Sequence, residues 1–152
     1  MAYSFGARSA SLLSGVHPEL QRLAREAIAN SPFDFAVTEG ARDAATQAEK
    51  FAKGLSKVPF SKHQLVPAQA VHLEPYPIMY PQPDDAKMEI VKKYARYYML
   101  AQHVRATATR LGIPIRWGGD WDGDYDIMDQ TFDDLAHYEL ESRPGPKRRW
   151  GC

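Results

Sequence analysis

Three of the five histidines in this 152-residue chain are placed where they could bind one metal ion. His63, His72 and His137 lie in or beside strand-like segments and close to polar loops. A catalytic zinc ion usually has three protein ligands and one open position, and it lowers the pKa of a bound water toward ~7. A carboxylate must still accept and deliver the proton, and Asp134 lies three residues before His137. The spacing alone is a weak signal, because histidines are more often unrelated structural or surface residues.

The composition restricts the kinds of site and function that the chain can support. Its single cysteine, Cys152, excludes an internal disulfide framework and any multi-cysteine zinc site. The 19 Lys and Arg residues balance 19 Asp and Glu residues, which argues against a general nucleic-acid binder. The length fits one domain with its own core, and 44% hydrophobic residues is ordinary for a globular protein.

No targeting or membrane segment is apparent in the sequence. The first eight residues lack the basic start and apolar run of a secretory signal, and no stretch approaches the ~20 apolar residues that span a bilayer. We therefore expect a protein that is made in the cytoplasm without a signal peptide or a membrane span. We also expect it to be a monomer. Action outside that compartment would require release by another protein.

The periodicity of apolar residues predicts a small α+β domain. Helices are predicted at residues 18–30, 42–53 and from 84 or 85 to 111, and strands at 33–38, 68–73, 113–117 and 136–141. This order favours a central, mostly antiparallel sheet with helices packed on it. Residues 1–142 would form the domain, and residues 143–152 a basic tail rich in Pro and Gly.

Five sequence blocks around the histidines occur in a specific order. They are Thr38-Glu39-Gly40-Ala41-Arg42 with Gln47, Ser61-Lys62-His63, Ala70-Val71-His72, Arg116-Trp117-Gly118-Gly119-Asp120-Trp121, and Asp134-Leu135-Ala136-His137. The set resembles the zinc peptidases that cut bacterial peptidoglycan peptides, the L-alanyl-D-glutamate endopeptidase and D-alanyl-D-alanine carboxypeptidase family, which includes phage endolysins. The resemblance runs from about Leu13 to Leu140, and it implies a zinc peptidase domain built around an antiparallel sheet.

The resemblance also implies roles for individual residues. His63 and His137 match two zinc ligands of the family, and Asp134 matches its general base. Arg42 matches the arginine that assists at the polarised carbonyl or at a substrate carboxylate. The further residues expected at the substrate site are Ser61, Gln47 and Trp121.

One position departs from the family pattern. The family has Ala-Val-Asp where this chain has Ala70-Val71-His72, and that Asp is normally the second zinc ligand. Histidine is a good zinc ligand, but it is larger than aspartate and brings no negative charge. We expect His63, His72 and His137 to bind the zinc together. A working natural variant, an engineered change, a weakened enzyme and a His72 side chain turned away from the metal all stay open.

The resulting prediction is zinc-dependent hydrolysis of a peptide bond in peptidoglycan stem peptides by an L-alanyl-D-glutamate endopeptidase-like endolysin that lyses cells. One alternative is a D-Ala-D-Ala carboxypeptidase. A second is a weakened or non-enzymatic binder of wall peptides, which the His72 substitution would favour. A third is a zinc hydrolase with a different substrate.

An acidic loop lies between the last two predicted strands. Its alternating carboxylates resemble the opening of a calcium-binding loop, although Ile127 stands where a sharp-turn glycine is expected. The sequence therefore allows a Ca²⁺ site at Asp120–Asp126, with a solvated acidic loop over the active-site mouth as the alternative. Trp117 and Trp121 could line a substrate cleft or pack in the core.

Overall fold

The computed structural model describes residues 2–142, so the tail predicted at 143–152 lies outside the described residues. The helices are α1 (Ala7–Leu13), α2 (Pro18–Ala29), α3 (Ala44–Ala52) and α4 (Lys87–Leu111). The strands are β1 (Phe35–Glu39), β2 (Ala70–Pro75), β3 (Ile115–Gly118) and β4 (Asp134–Leu140). Two short 3₁₀ turns cover Lys62–Gln64 and Ile127–Asp129.

The four strands form one sheet in the order β1-β2-β4-β3, and every neighbouring pair is antiparallel. This arrangement confirms the predicted α+β class with a central antiparallel sheet. Strand β2 lies in the interior of the sheet between β1 and β4. Side chains on β2 therefore have neighbours from two strands, which makes it a suitable strand to position a functional group.

The core lies between one face of the sheet and the helices α2 and α4. Along β2, Val71 and Leu73 are buried in this core, and Tyr138 on β4 joins them. The predicted apolar stripe of α2 is buried against the same core at Leu20, Leu23, Ala24, Ala27 and Ile28. Because strand side chains alternate between the two faces of a sheet, the residues next to Val71 and Tyr138 face away from the helices. His72 and His137 are such residues.

Several predicted boundaries differ from the structure. Helix α1 was not predicted, and α4 begins at Lys87 after Ala86, which offers no side-chain cap. Asp85 does not cap α4; its carboxylate accepts from the Gln82 amide and pairs with Lys93 at 2.6 Å. Strand β4 begins two residues earlier than predicted. Asp134 is therefore the first residue of the strand and does not lie before it.

Helix α4 is the longest element, at 25 residues. Tyr97 on this helix is buried, whereas Tyr94 is exposed. Within residues 2–142, no helix combines the length and the apolar character that a membrane crossing needs.

Candidate metal centre

Strand pairing places two of the three histidines side by side. His72 on β2 lies directly opposite His137 on β4, and Glu39 on β1 lies opposite His72 on its other side. Opposed residues of antiparallel strands have Cβ atoms roughly 5 Å apart, so their side chains meet on one face. The sheet alone thus brings Glu39, His72 and His137 into one row on the face opposite α2 and α4.

The third histidine comes from outside the sheet. His63 is in the 3₁₀ turn that Ser61 caps: the Ser61 hydroxyl accepts from the His63 amide, and the Gln64 side chain accepts from the Ser61 amide. The His63 carbonyl accepts from the Arg42 amide at 2.8 Å. The loop after β1 and the capped turn therefore hold each other and present the His63 ring above the sheet.

The three rings form a compact cluster whose nitrogens could hold a metal ion. Their ligand atoms lie within 4.8 Å of one another, and the ring centroids are 4.7, 5.1 and 5.4 Å apart. His72 Nε2 is 3.4 Å from His137 Nδ1. His63 Nε2 is buried and has no hydrogen-bond partner among the described residues. A buried nitrogen without a partner costs free energy, which a bound metal would remove.

Each ring is oriented by an oxygen at its second nitrogen. His63 Nδ1 is 2.7 Å from the Gly40 carbonyl, and His137 Nε2 is 2.9 Å from Glu139 Oε1. His72 Nδ1 faces Glu39 Oε2 at 3.5 Å. Such outer partners fix the tautomer and orientation of metal-binding histidines. They leave the nitrogens that point into the cluster free to bind a metal, so the residues present fit a three-histidine site.

The electrostatics of the cluster keep two of its rings neutral. Burial lowers the pKa of His63 to about 4, and the neighbouring His137 lowers it further than the Gly40 carbonyl raises it. Burial also lowers the pKa of His72 well below its ordinary value, with further effects from His63 and His137. A metal binds neutral imidazole, so neither of these two histidines must lose a proton at neutral pH before it can bind.

Asp134 lies beside the cluster with its carboxylate free. Its Oδ2 is 3.8 Å from His72 Nε2 and 3.9 Å from His137 Nδ1, and no described residue donates a hydrogen bond to it. Burial raises the pKa of this carboxyl above its ordinary value. Position 118, on the neighbouring strand β3, has no room for a side chain. A Cβ on Gly118 would lie 2.1 Å from the Asp134 carbonyl oxygen.

Arg42 is held rigidly next to the cluster. Its Nε donates to Glu39 at 2.5 Å and its Nη1 donates to Gln47 Oε1 at 2.6 Å, while Nη2 donates to no described residue. Gln47 is fully buried, and its amide also donates to Ser56 Oγ and to the Val58 carbonyl. This corrects the expected substrate contact of Gln47, since a side chain with no exposed surface positions Arg42 instead.

The remaining predicted substrate residues have different environments. Ser61 is buried, and its hydroxyl is used to cap the turn that carries His63. The Trp121 ring is 5.4 Å from the His137 ring, and its Nε1 donates to the Phe132 carbonyl. Trp121 therefore forms a wall of the site. Trp117 is buried and packs edge-on against Tyr98, so packing is its role.

The acidic loop gives no support to the calcium prediction. Asp120, Asp122 and Asp124 approach one another closely enough to share an ion. However, the buried Asp120 carboxylate accepts from Arg105 at 2.7 Å and from the amides of Gly123 and Tyr125. Asp120 is thus already neutralised by a cation and organises the loop.

Comparisons with known proteins agree with this geometry. A family described as phage L-alanyl-D-glutamate peptidase matches residues 1–141. The chain belongs to that family. The L-alanyl-D-glutamate peptidase of Escherichia phage T5 is 34% identical over 146 residues, which cover 92% of this chain and 99% of that protein. The crystal structure of Serratia marcescens L-Ala D-Glu endopeptidase ChiX matches with a TM-score of 0.69 and 30% identity, over 91% of this chain and 90% of that one.

Membership of the peptidase family confirms the resemblance inferred from the five sequence blocks. The structure adds residues to which the sequence had assigned no role: Glu39, Gly40 and Glu139 orient the three histidines of the peptidase. Glu139 could have been found from sequence, because it lies two residues after His137 and therefore on the same face of the strand. Gly40 acts through its backbone carbonyl, for which the residue type gives no signal.

Proposed function

We propose that this peptidase hydrolyses the bond between L-alanine and D-glutamate in peptidoglycan stem peptides, using a zinc ion bound by His63, His72 and His137. The observation that carries the proposal is the convergence of three histidine nitrogens beside a carboxylate to which no residue of 2–142 donates a hydrogen bond. The names of the phage T5 relative and the Serratia marcescens structure support the choice of bond. Zinc prefers nitrogen ligands of this kind and tolerates a neutral three-histidine set.

The chemistry divides between the metal and the side chains around it. Zinc bound by the three histidines would polarise the carbonyl and lower the pKa of water. Asp134 accepts a proton from the attacking water, because its carboxylate lies next to the ligand nitrogens and burial raises its pKa. As the C–N bond breaks, Asp134 returns that proton to the leaving D-glutamate nitrogen. No proton is left over at the end of the cycle.

Arg42 supplies a fixed positive charge at the same site. Two of its nitrogens are held by Glu39 and Gln47, which leaves Nη2 to face the substrate. A guanidinium held in this way can donate to the developing negative charge on the carbonyl oxygen or to a substrate carboxylate. D-glutamate brings such a carboxylate next to the scissile bond.

The histidine at position 72 is compatible with this function. The aspartate of the family pattern would contribute a negative charge to the metal, which His72 does not. Here Glu39 and Glu139 stand behind His72 and His137 and place their charges within contact of the ligand rings. Carboxylates in that position raise the basicity of a ligating imidazole. They do not replace the missing charge, because Glu39 is also paired with Arg42, and Glu139 with Lys62 and Arg116.

The test is to identify the new peptide termini that cleavage by the peptidase creates. Purified peptidoglycan, or a stem peptide, is digested with the zinc-loaded protein and the products are analysed by mass spectrometry. We expect new C-terminal L-alanine and new N-terminal D-glutamate. Release of terminal D-alanine alone would show the carboxypeptidase alternative, and stoichiometric binding without any new end would show a wall-peptide binder.

We further propose that the peptidase acts as a monomer, is made in the host cytoplasm, and reaches the wall after another protein opens the membrane. The description of the matched family as phage peptidases motivates this proposal. The test is to express the protein alone and together with a membrane-permeabilising protein. Lysis should occur in the second case, and lysis in the first would contradict the route.

A further inference from the structure

A cleft of about 550 Å³ extends from the metal centre along β1 and β2. His72 and Glu39 lie at one end of it, so the cleft continues the candidate active site and offers room for more of the substrate. Its walls also include Arg8 from α1 and residues of the segment after β2. One charged residue of this cleft, Glu74, is buried and has no role in the metal centre.

Glu74 is a buried carboxylate that forms no ion pair within the described part of the chain. It is 6% exposed, and among residues 2–142 no lysine or arginine forms an ion pair with it. Its Oε1 accepts from the hydroxyls of Tyr97 at 2.8 Å and Tyr80 at 2.9 Å, whereas Oε2 accepts from no described donor. Burying a charge without a counter-charge is costly, so a cation that enters the cleft would gain from binding here. Glu39, the other acid of the cleft, is already paired with Arg42.

The surroundings of Glu74 suit an ammonium group in particular. Tyr76 and Tyr80 line the same cleft and are more than half exposed. Aromatic faces attract ammonium groups, and this attraction adds to that of the carboxylate. Alternation along β2 puts Glu74 on the same face as His72, roughly 7 Å further along the strand. That separation lets one peptide reach both the metal centre and Glu74.

We propose that Glu74 forms a subsite for a primary ammonium group of the substrate peptide, the side-chain amine of a diamino acid near the scissile bond. This inference rests on the proposed peptidase function, which supplies the peptide. The two tyrosine hydroxyls fix one carboxylate oxygen, and the other oxygen receives the ammonium. Glu74 is accordingly a specificity-determining residue, and it takes no part in the bond cleavage.

The experiment measures binding rather than hydrolysis. The zinc-loaded Asp134→Asn protein is titrated by calorimetry with N-acetyl-L-Ala-D-Glu-L-Lys, joined as in peptidoglycan, and with the same peptide acetylated on the lysine side chain. We expect the free amine to bind at least about tenfold more tightly, as for a charge-assisted hydrogen bond. When Glu74→Gln is added to the Asp134→Asn protein, the ratio of the two affinities should fall to near one. Glutamine keeps an oxygen for both tyrosine hydroxyls, so the fold is retained.

The matched control is Glu49→Gln, a substitution of an exposed glutamate on α3, which should leave the ratio unchanged. Equal affinities for the two peptides, or a preference that survives Glu74→Gln, would overturn the inference. If Glu74→Gln does not fold, the comparison of the two peptides on the protein that retains Glu74 still decides it. An amine preference in binding, together with no hydrolysis by the unaltered protein, would contradict the proposed function and leave this subsite standing.

Discussion

Each of the three clustered histidines is fixed by an oxygen on the side away from the cluster. Gly40 provides a carbonyl to His63, whereas Glu139 and Glu39 provide carboxylates to His137 and His72. These contacts determine which nitrogen of each ring is available. The metal-binding capacity of the site therefore depends on residues that do not touch the metal.

Glu139 makes the shorter of the two carboxylate contacts, at 2.9 Å against 3.5 Å for Glu39. Burial alone would raise its pKa, but hydrogen bonds from His137 and Lys62 outweigh burial and lower the pKa to about 2. Replacing it by glutamine should reduce zinc affinity by about 10- to 100-fold, because His137 loses its charged partner. Zinc affinity is measured by competition with a chromophoric chelator. Glu141→Gln, two residues further along the chain, is the control, and equal affinities for the two variants would contradict the role of Glu139.

Asp134 is predicted to be required for turnover but not for metal binding. Asp134→Asn removes the proton acceptor and should lower kcat by about 10²-fold or more, with bound zinc unchanged. Peptide hydrolysis and metal content are measured on the same sample. Asp133→Asn changes an exposed neighbour and should retain activity. Undiminished hydrolysis by Asp134→Asn would exclude it as the general base.

Among the elements, α1 and the end of β1 meet so closely at Gly40 that no side chain fits between them. A Cβ on Gly40 would lie 2.2 Å from the Leu12 carbonyl of α1, a contact that no side chain tolerates. Gly40→Ala should push the two elements apart, lower the free energy of unfolding by about 1–3 kcal/mol and weaken zinc binding through His63. Urea unfolding and zinc competition measure the two effects. Gly6→Ala meets no atom within 4 Å and serves as the control. If the Gly40→Ala and Gly6→Ala proteins had the same unfolding free energy and the same zinc affinity, the close approach of α1 to Gly40 would have no such effect and the prediction would be wrong.

The sequence predicted most of the elements because their patterns are local. The apolar stripe of α2 and the short strands around Val37, Val71 and Tyr138 follow from periodicity within a few residues. Helix α1 was missed because its stability comes from packing against β1, a contact that periodicity does not reveal. The start of α4 was misplaced because Asp85 is paired with Lys93 instead of capping the helix.

The candidate site could be predicted as a set of residue types but not as an arrangement. Ordered blocks identified His63, His72 and His137, and the structure brings all three together. The burial of Gln47 depends on how the loop at residues 56–58 folds over it, which no local pattern specifies. The position of the buried Glu74 carboxylate likewise follows from tertiary contacts with Tyr80 and Tyr97.

For the molecule as a whole, the buried histidines connect stability to pH. His63 has its pKa lowered from 6.5 to about 4, so the unfolded chain binds its proton before the folded one does. The free energy of unfolding of the metal-free protein should therefore fall as the pH falls from 6.5 toward 4, by roughly 1–3 kcal/mol. Urea unfolding at pH 7.5, 5.5 and 4.5 in the presence of a chelator measures this. His63→Gln should make the dependence shallower, leaving the part that His72 contributes, and the same slope in both proteins would contradict the assignment.

The central claim is that one metal ion held by His63, His72 and His137 is needed for hydrolysis of the L-Ala–D-Glu bond. The most direct measurement is to add zinc stepwise to the chelated protein while following bound zinc and the release of peptide with a new N-terminal D-glutamate. We predict that both rise together and saturate at one zinc ion per chain, and that His72→Ala loses both. Hydrolysis that persists in the fully chelated protein, or a His72→Ala protein with full zinc content and full activity, would contradict the claim.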